Sequence, residues 1–237
     1  MPKRKRPKTL KREAANHAAL HRRWKRWLPH MRHDLTDLLG MREIFWQLQD
    51  VARENPAVLK PGSFFDWMCR NYMVAITVGI RSFMDQSSDS RSLWRMLYEV
   101  LENPGVISRD THVRMYRGTA VGVSFGHSTF DNVVGERQPC ISQRTVRSDL
   151  RKLEDASERI RRFVNKRIAH KTSPGEIRRL PKLREVDSAL DTLDRVLCKY
   201  NLLITGQGMD TLHAVRQYDW REVLWEPWIP MGSKLRP

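Results

Sequence analysis

The chain has 237 residues, 40% of them hydrophobic and 30% charged. This composition excludes a chain that is disordered throughout and suits one globular domain with tails. A formal net charge of +16 favours anionic partners such as nucleic acid. The three cysteines, Cys69, Cys140 and Cys198, are isolated in the sequence, which argues against a disulfide framework or a zinc knuckle.

The N-terminus is a basic arm. Residues 1–33 hold twelve Lys or Arg and a single acid, Glu13, so they carry +11 of the net charge. A helix is predicted from about Thr9 to Pro29, where the proline should end it. Trp24 and Trp27 allow two interpretations: they stack on bases, or they pack against the protein. The candidate nucleic-acid-binding residues of the arm are Lys3, Arg4, Lys5, Arg6, Lys8, Arg22, Arg23, Lys25 and Arg26.

Apolar residues at helical spacing predict further helices in the order 34–54, 63–85, 90–102, a short one from Ser108, 142–170 and 183–203. The helix over 142–170 is expected to be the longest. Residues 118–141 contain four glycines and a proline, so this stretch is predicted to be a long loop with room for a small hairpin. The tail should be irregular and held to the body by its tryptophan rings.

These elements predict an all-α fold: a bundle of four to five core helices with a basic N-terminal arm, one long loop and an aromatic C-terminal tail. The expected division is 1–29 for the arm, 30–205 for the bundle and 206–237 for the tail. The most apolar run, 64–80, is interrupted by charges and is too short to span a bilayer. The basic N-terminus is not followed by the apolar stretch of a signal peptide, so a cytoplasmic protein is expected.

One helix end combines cations with an imidazole. The segment runs Asn165-Lys166-Arg167-Ile168-Ala169-His170 and is followed by Lys171. At about 100° per residue, His170 shares a helix face with Lys166 and Arg167. Such a cluster can hold a phosphate while the imidazole moves a proton. A histidine among lysines and arginines is also common at helix ends without any function, and the residues alone leave both interpretations open.

The same segment resembles the signature of the HEPN superfamily, and the abortive-infection, AbiU-like branch in particular. The resemblance covers roughly residues 35–225. The pieces that carry it are Val78-Gly79-Ile80-Arg81, Ser90-Arg91-Ser92-Leu93-Trp94, Ile107-Ser108-Arg109, the 165–170 segment and Asp219-Trp220. It implies an all-helical bundle that forms a homodimer and acts as a metal-independent endoribonuclease of a phage-defence or toxin system.

The resemblance also implies residue roles. His170 corresponds to the family histidine, the general acid or base, and Asn165 to the polar residue that follows the family arginine. That arginine lies five to seven positions before the histidine, where this chain has Phe163, Val164 and Asn165. Two alternatives follow: Lys166 or Arg167 replaces the arginine, or the site is no longer catalytic.

The expected partners are RNA, a second copy of the chain and an antitoxin, with DNA as a further nucleic-acid partner and Lys171 as an additional contact. No cofactor, metal ligand set or membrane contact is expected. The alternative from another functional class is a non-catalytic module that binds nucleic acid or protein through the basic arm.

Overall fold

The computed structural model describes residues 7–59, 64–169 and 180–226, together with Trp228 and Lys234. In these ranges the regular structure is helical, apart from an isolated antiparallel bridge between Ser108 and Cys140. The fold class is therefore all-α, which confirms the prediction. No helix in the described ranges combines the length and the apolar character that crossing a bilayer requires.

The α-helices of the described residues are α1 (Pro7–Glu54), α2 (Phe64–Phe83), α3 (Leu93–Glu102), α4 (Arg109–Arg114), α5 (Gly122–Val134), α6 (Gln143–Phe163), α7 (Leu183–Thr205) and α8 (Glu222–Trp225). Serine hydroxyls explain where three of them begin. Ser92, Ser108 and Ser142 each accept a hydrogen bond from the backbone N–H three residues later, which satisfies a donor that the first helical turn leaves unpaired.

The core is built around α7, which packs against α1, α2, α4 and α6. Its Leu190, Leu197 and Tyr200 are fully buried. Helix α3 packs on α6, and α2 fills the space between α1 and α6. Among the described residues, α1, α2, α3, α6 and α7 form the main bundle, in agreement with the predicted four to five core helices.

The predicted helix end at Pro29 is wrong, because α1 continues through the proline to Glu54. The whole helix has 48 residues and is about 72 Å long. A proline inside a helix removes one backbone hydrogen bond and costs about 3 kcal/mol. Leu28 and Met31 on either side of it are buried in the common core, whereas Pro29 itself is exposed. Burial of the flanking side chains offsets the lost bond, so tertiary packing overrides the local signal.

The long loop predicted over 118–141 is also wrong, because α5 occupies Gly122–Val134. Gly122 and Gly135 take positive φ angles of 68° and 113° at the two ends of this helix. Gly126 lies inside it, where a Cβ atom would come within 2.7 Å of the Tyr116 ring. The glycines that resemble loop punctuation therefore bound the helix and let it lie close against α4.

The tail is irregular between α7 and α8, as predicted. Its anchors are mostly polar: Asp194 of α7 accepts hydrogen bonds from the Thr211 hydroxyl and the Leu212 N–H, at 2.6 and 2.9 Å. The Trp220 indole donates to Gln47 of α1. Trp225 is 85% exposed, so the tryptophan rings hold the tail only in part.

His112 lies in the buried junction of α4, α5 and α7. Its Nδ1 is 3.3 Å from the Leu203 carbonyl oxygen and its Nε2 is 3.0 Å from the Thr129 hydroxyl. Burial lowers the pKa of His112, and burial together with Lys25 lowers the pKa of His21. Both imidazoles therefore bind protons more readily in the unfolded chain than in the folded one.

The folded protein is accordingly expected to lose stability as the pH falls below about 6.5, the ordinary histidine pKa, and to keep the full contribution above it. Urea unfolding between about pH 7 and about pH 5 measures this dependence. Replacing His112 with Gln should weaken the pH dependence, whereas the same replacement of the exposed His127 should leave it unchanged. An identical pH slope in wild type and His112→Gln would contradict the assignment.

Candidate functional site

The segment that carries the predicted site is a π-helix. Helix α6 ends at Phe163, and the backbone continues as a π-helical turn over Val164–Ala169. The prediction of an α-helix over 142–170 is therefore wrong in its last turn. The prediction that it is the longest helix is also wrong, because α1 is longer. The apolar residues at the end of this helix are spaced four apart: Ile160, Val164 and Ile168. In an α-helix with 3.6 residues per turn, this spacing would rotate each successive side chain further around the helix axis. A wider π turn keeps all three directed toward the core, and π turns are frequent at functional sites.

The wider turn leaves the polar residues of this segment on the outside. Asn165 and Arg167 are exposed and Lys166 is half-buried, while Val164 belongs to the core. A basic surface thus forms at the end of α6. His170 and Lys171 lie outside the described residues, so their predicted positions on this surface stay predictions.

Asn165 contacts an arginine from another helix. The Nε of Arg81, in the last turn of α2, donates a hydrogen bond of 3.2 Å to Oδ1 of Asn165. The contact joins residues 84 positions apart. Because the preceding residues Ile80 and Val164 are both buried, the Asn165–Arg81 pair lies at the rim of the core.

A carboxylate holds the other end of the Arg81 side chain. Nη1 of Arg81 is 3.5 Å from Oδ2 of Asp85. Oδ1 of Asp85 accepts hydrogen bonds from the Ser87 backbone and hydroxyl, at 3.0 and 2.8 Å. The backbone bond from Ser87 is the main reason that the pKa of Asp85 is lowered, and Arg81 contributes to the same effect. The carboxylate is thus fixed in its charged form beside the guanidinium.

Arg81 is not among the site residues that the sequence predicts. Its only signal is membership of the Val78–Arg81 stretch that resembles the HEPN family. No periodicity within α2 reveals that its last turn lies next to residue 165, since this proximity arises from the packing of α2 against the end of α6.

The basic arm is a continuous part of α1. Arg22, Lys25 and Arg26 are exposed and, with Ala19, line a surface cavity of about 480 Å³. Lys3, Arg4, Lys5 and Arg6 lie outside the described residues, and Lys8 is described only in its backbone, as part of α1. The structure therefore brings together three of the predicted nucleic-acid-binding cations on one surface.

Arg23 and Trp24 have a different environment, because both contact the buried carboxylate of Glu99 in α3. Arg23 forms an ion pair of 2.6 Å with Oε2 of Glu99, and the Trp24 indole donates a 2.7 Å hydrogen bond to the same oxygen. Arg95 adds a third donor at 3.2 Å. The Trp24 ring is fully buried, so stacking on bases is wrong for Trp24, and packing against the protein is the correct alternative.

No curated protein and no solved structure matches the chain. The family model HEPN_AbiU2, described as AbiU2, matches residues 22–223, a range that includes Arg22, Lys25 and Arg26 of α1, Arg81 and the π-helical segment. The chain therefore belongs to the HEPN_AbiU2 family and is a HEPN-like abortive-infection protein.

Proposed function

We propose that this protein is a metal-independent endoribonuclease that acts in phage defence as the toxin component of a toxin–antitoxin pair. The observation that carries the proposal is the polar surface of the π-helical segment, where Asn165 and Arg167 are exposed and Lys166 is half-buried. All three lie three to five positions before His170 in the sequence. In this proposal His170 is the general acid or base, Lys166 and Arg167 hold the phosphate, and Asn165 is a positioning residue. Lys171 extends the contact to the RNA backbone.

The reaction needs only groups that RNA and this chain supply. The ribose 2′-oxygen attacks the adjacent phosphorus and loses its proton to a base, while the bond from phosphorus to the 5′-oxygen breaks and that oxygen gains a proton. The products are a 2′,3′-cyclic phosphate and a 5′-hydroxyl. Cationic side chains accelerate this step by stabilising the negative charge that develops on the phosphorane oxygens.

The decisive experiment removes the attacking 2′-oxygen from the substrate. Purified protein in EDTA is incubated with an RNA and with the same RNA carrying a 2′-deoxyribose at the cleaved position. Cleavage of the first with cyclic-phosphate ends, and no cleavage of the second, is expected. Cleavage of both substrates, or cleavage only after a divalent metal is added, would contradict the proposal.

The proposed enzyme acts as a homodimer. Phe64, Trp67, Val74 and Val78 recur along one face of α2 and are between 40% and 58% exposed, which is typical of a protein interaction surface. This apolar stripe ends one helical turn before Arg81. A second copy bound to the stripe would therefore lie beside the candidate site.

Charges placed in the apolar stripe are expected to prevent the dimer. The double variant Val74→Glu and Val78→Glu should sediment as a monomer in analytical ultracentrifugation, because two carboxylates would be buried without partners. Val123→Glu is the matched control, since Val123 is equally exposed but lies on α5. A monomeric wild type, or a double variant that sediments as a dimer, would contradict the proposed interface.

A second candidate function is a non-catalytic module that binds nucleic acid, and the basic cavity of α1 favours it. Replacing Arg22, Lys25 and Arg26 together with Glu should weaken RNA binding and lower the salt slope of the remaining binding by about three, because each phosphate contact contributes about one. DNA as competitor tests whether the ribose is recognised. The control is a triple Glu variant at three exposed arginines of α6: Arg144, Arg147 and Arg151. Equal losses in both triple variants would contradict a specific role for α1.

A further inference from the structure

Arg81 has the properties of the arginine that the 163–165 segment lacks. It approaches Asn165, the residue that corresponds to the polar position after the family arginine, but it comes from α2 and not from the helix that precedes His170. The Nε–Oδ1 distance of 3.2 Å defines this approach. Arg81 therefore brings a guanidinium next to Asn165, although residues 163–165 include no arginine.

Two described residues hold the guanidinium of Arg81 on two sides. Nε is bound to Asn165 and Nη1 faces Asp85, while Nη2 makes no hydrogen bond with a described residue. The side chain is 39% exposed, so solvent and ligands can reach it. A planar guanidinium fixed at two corners directs its remaining N–H groups, which is how arginine recognises phosphate.

We propose that Arg81 is a catalytic residue that contacts a non-bridging oxygen of the scissile phosphate, with Asn165 and Asp85 as the groups that position it. This inference rests on the proposed ribonuclease function and deepens it, since it assigns the phosphate contact of that site to α2. Asp85 offsets part of the charge of Arg81, because its Oδ2 lies 3.5 Å from Nη1, whereas Nη2 is the group proposed to meet the phosphorane oxygen.

Three variants test the assignment. Arg81→Ala is expected to lower kcat by about 10²–10³-fold with a smaller effect on KM, because a donor that acts on developing charge is lost. Arg81→Lys should restore only part of the rate, since an ammonium lacks the planar fork. The matched control is Arg70→Ala: Arg70 lies on the same helix, pairs with Asp66 four residues away and is about 16 Å from Arg81 along the helix axis.

Two further measurements separate a phosphate contact from a structural role. Millimolar guanidinium should restore activity to Arg81→Ala and leave Arg70→Ala unchanged. Replacing one non-bridging oxygen of the scissile phosphate with sulfur should slow the wild type more than Arg81→Ala. Equal thermal midpoints of the two alanine variants would show that the fold is intact in both.

Binding to the 2′-deoxy substrate decides the inference independently of cleavage. Arg81→Ala is expected to reduce the salt slope of binding by about one, and Arg70→Ala to leave it unchanged. If the wild type cleaves RNA but Arg81→Ala matches it in kcat and in salt slope, the assignment of Arg81 is overturned and the ribonuclease function stands. If the wild type does not cleave RNA, the proposed function fails, and an unchanged salt slope in Arg81→Ala then removes the phosphate contact as well.

Discussion

Replacing His170 with alanine is expected to slow metal-free RNA cleavage by about 10²–10⁴-fold, the usual contribution of a general acid or base. His170 is the one histidine of the sequence between residues 128 and 212. The ordinary pKa of an imidazole lies close to neutrality, so the ring can both accept and return a proton at physiological pH. A substrate-saturated, single-turnover assay in EDTA measures the change directly.

His127 provides the matched control, because it is an exposed histidine on α5 and has no part in the proposed site. His127→Ala should cleave RNA at the wild-type rate, and His170→Ala should still bind the 2′-deoxy substrate. Equal cleavage by wild type and His170→Ala would remove the mechanism, and so would cleavage that appears only with added metal.

Truncating Trp24 to alanine is expected to lower the free energy of unfolding by about 3–5 kcal/mol, the range for a large aromatic side chain removed from a core. The ring is fully buried and its N–H binds Glu99, so the change creates a cavity and removes a hydrogen bond to a charged group. Urea unfolding followed by circular dichroism gives the difference.

Two other variants help to separate the cavity from the lost hydrogen bond. Trp24→Phe keeps most of the volume but loses the hydrogen bond, which should account for about 1.5–3 kcal/mol. Trp225→Ala, at an exposed position of α8, should change the free energy of unfolding by about 0.5 kcal/mol or less. A loss below about 1 kcal/mol in Trp24→Ala would mean that the N-terminal half of α1 is not part of the cooperative core.

Local signals in the sequence predict much of this fold. A short helix begins after Ser108 as predicted, and the apolar residues at helical spacing over 183–203 correctly predict α7. The failures have a common physical origin. Pro29 and the glycines around α5 have strong local preferences, and burial of Leu28, Met31 and the Tyr116 ring against their neighbours outweighs those preferences.

The candidate site also has a part that the sequence predicts and a part that depends on packing. Asn165, Lys166 and Arg167 are adjacent in sequence, so a motif can identify them, although their π-helical geometry cannot be predicted from a 3.6-residue period. Arg81 could not be assigned, because its contact with Asn165 depends on how α2 meets the end of α6. Side chains brought together by packing leave no spacing pattern in the chain.

The continuity of α1 has a consequence for the proposed binding of RNA. Arg22, Lys25 and Arg26 are fixed on a rod whose Trp24 and Leu28 are buried, so these charges keep their spacing before any ligand arrives. A flexible tail would lose conformational entropy when a nucleic acid orders it, and this helix is spared most of that loss. Removing residues 1–28 would therefore open the hydrophobic interior as well as deleting charge, so point substitutions are the suitable way to examine electrostatic attraction alone.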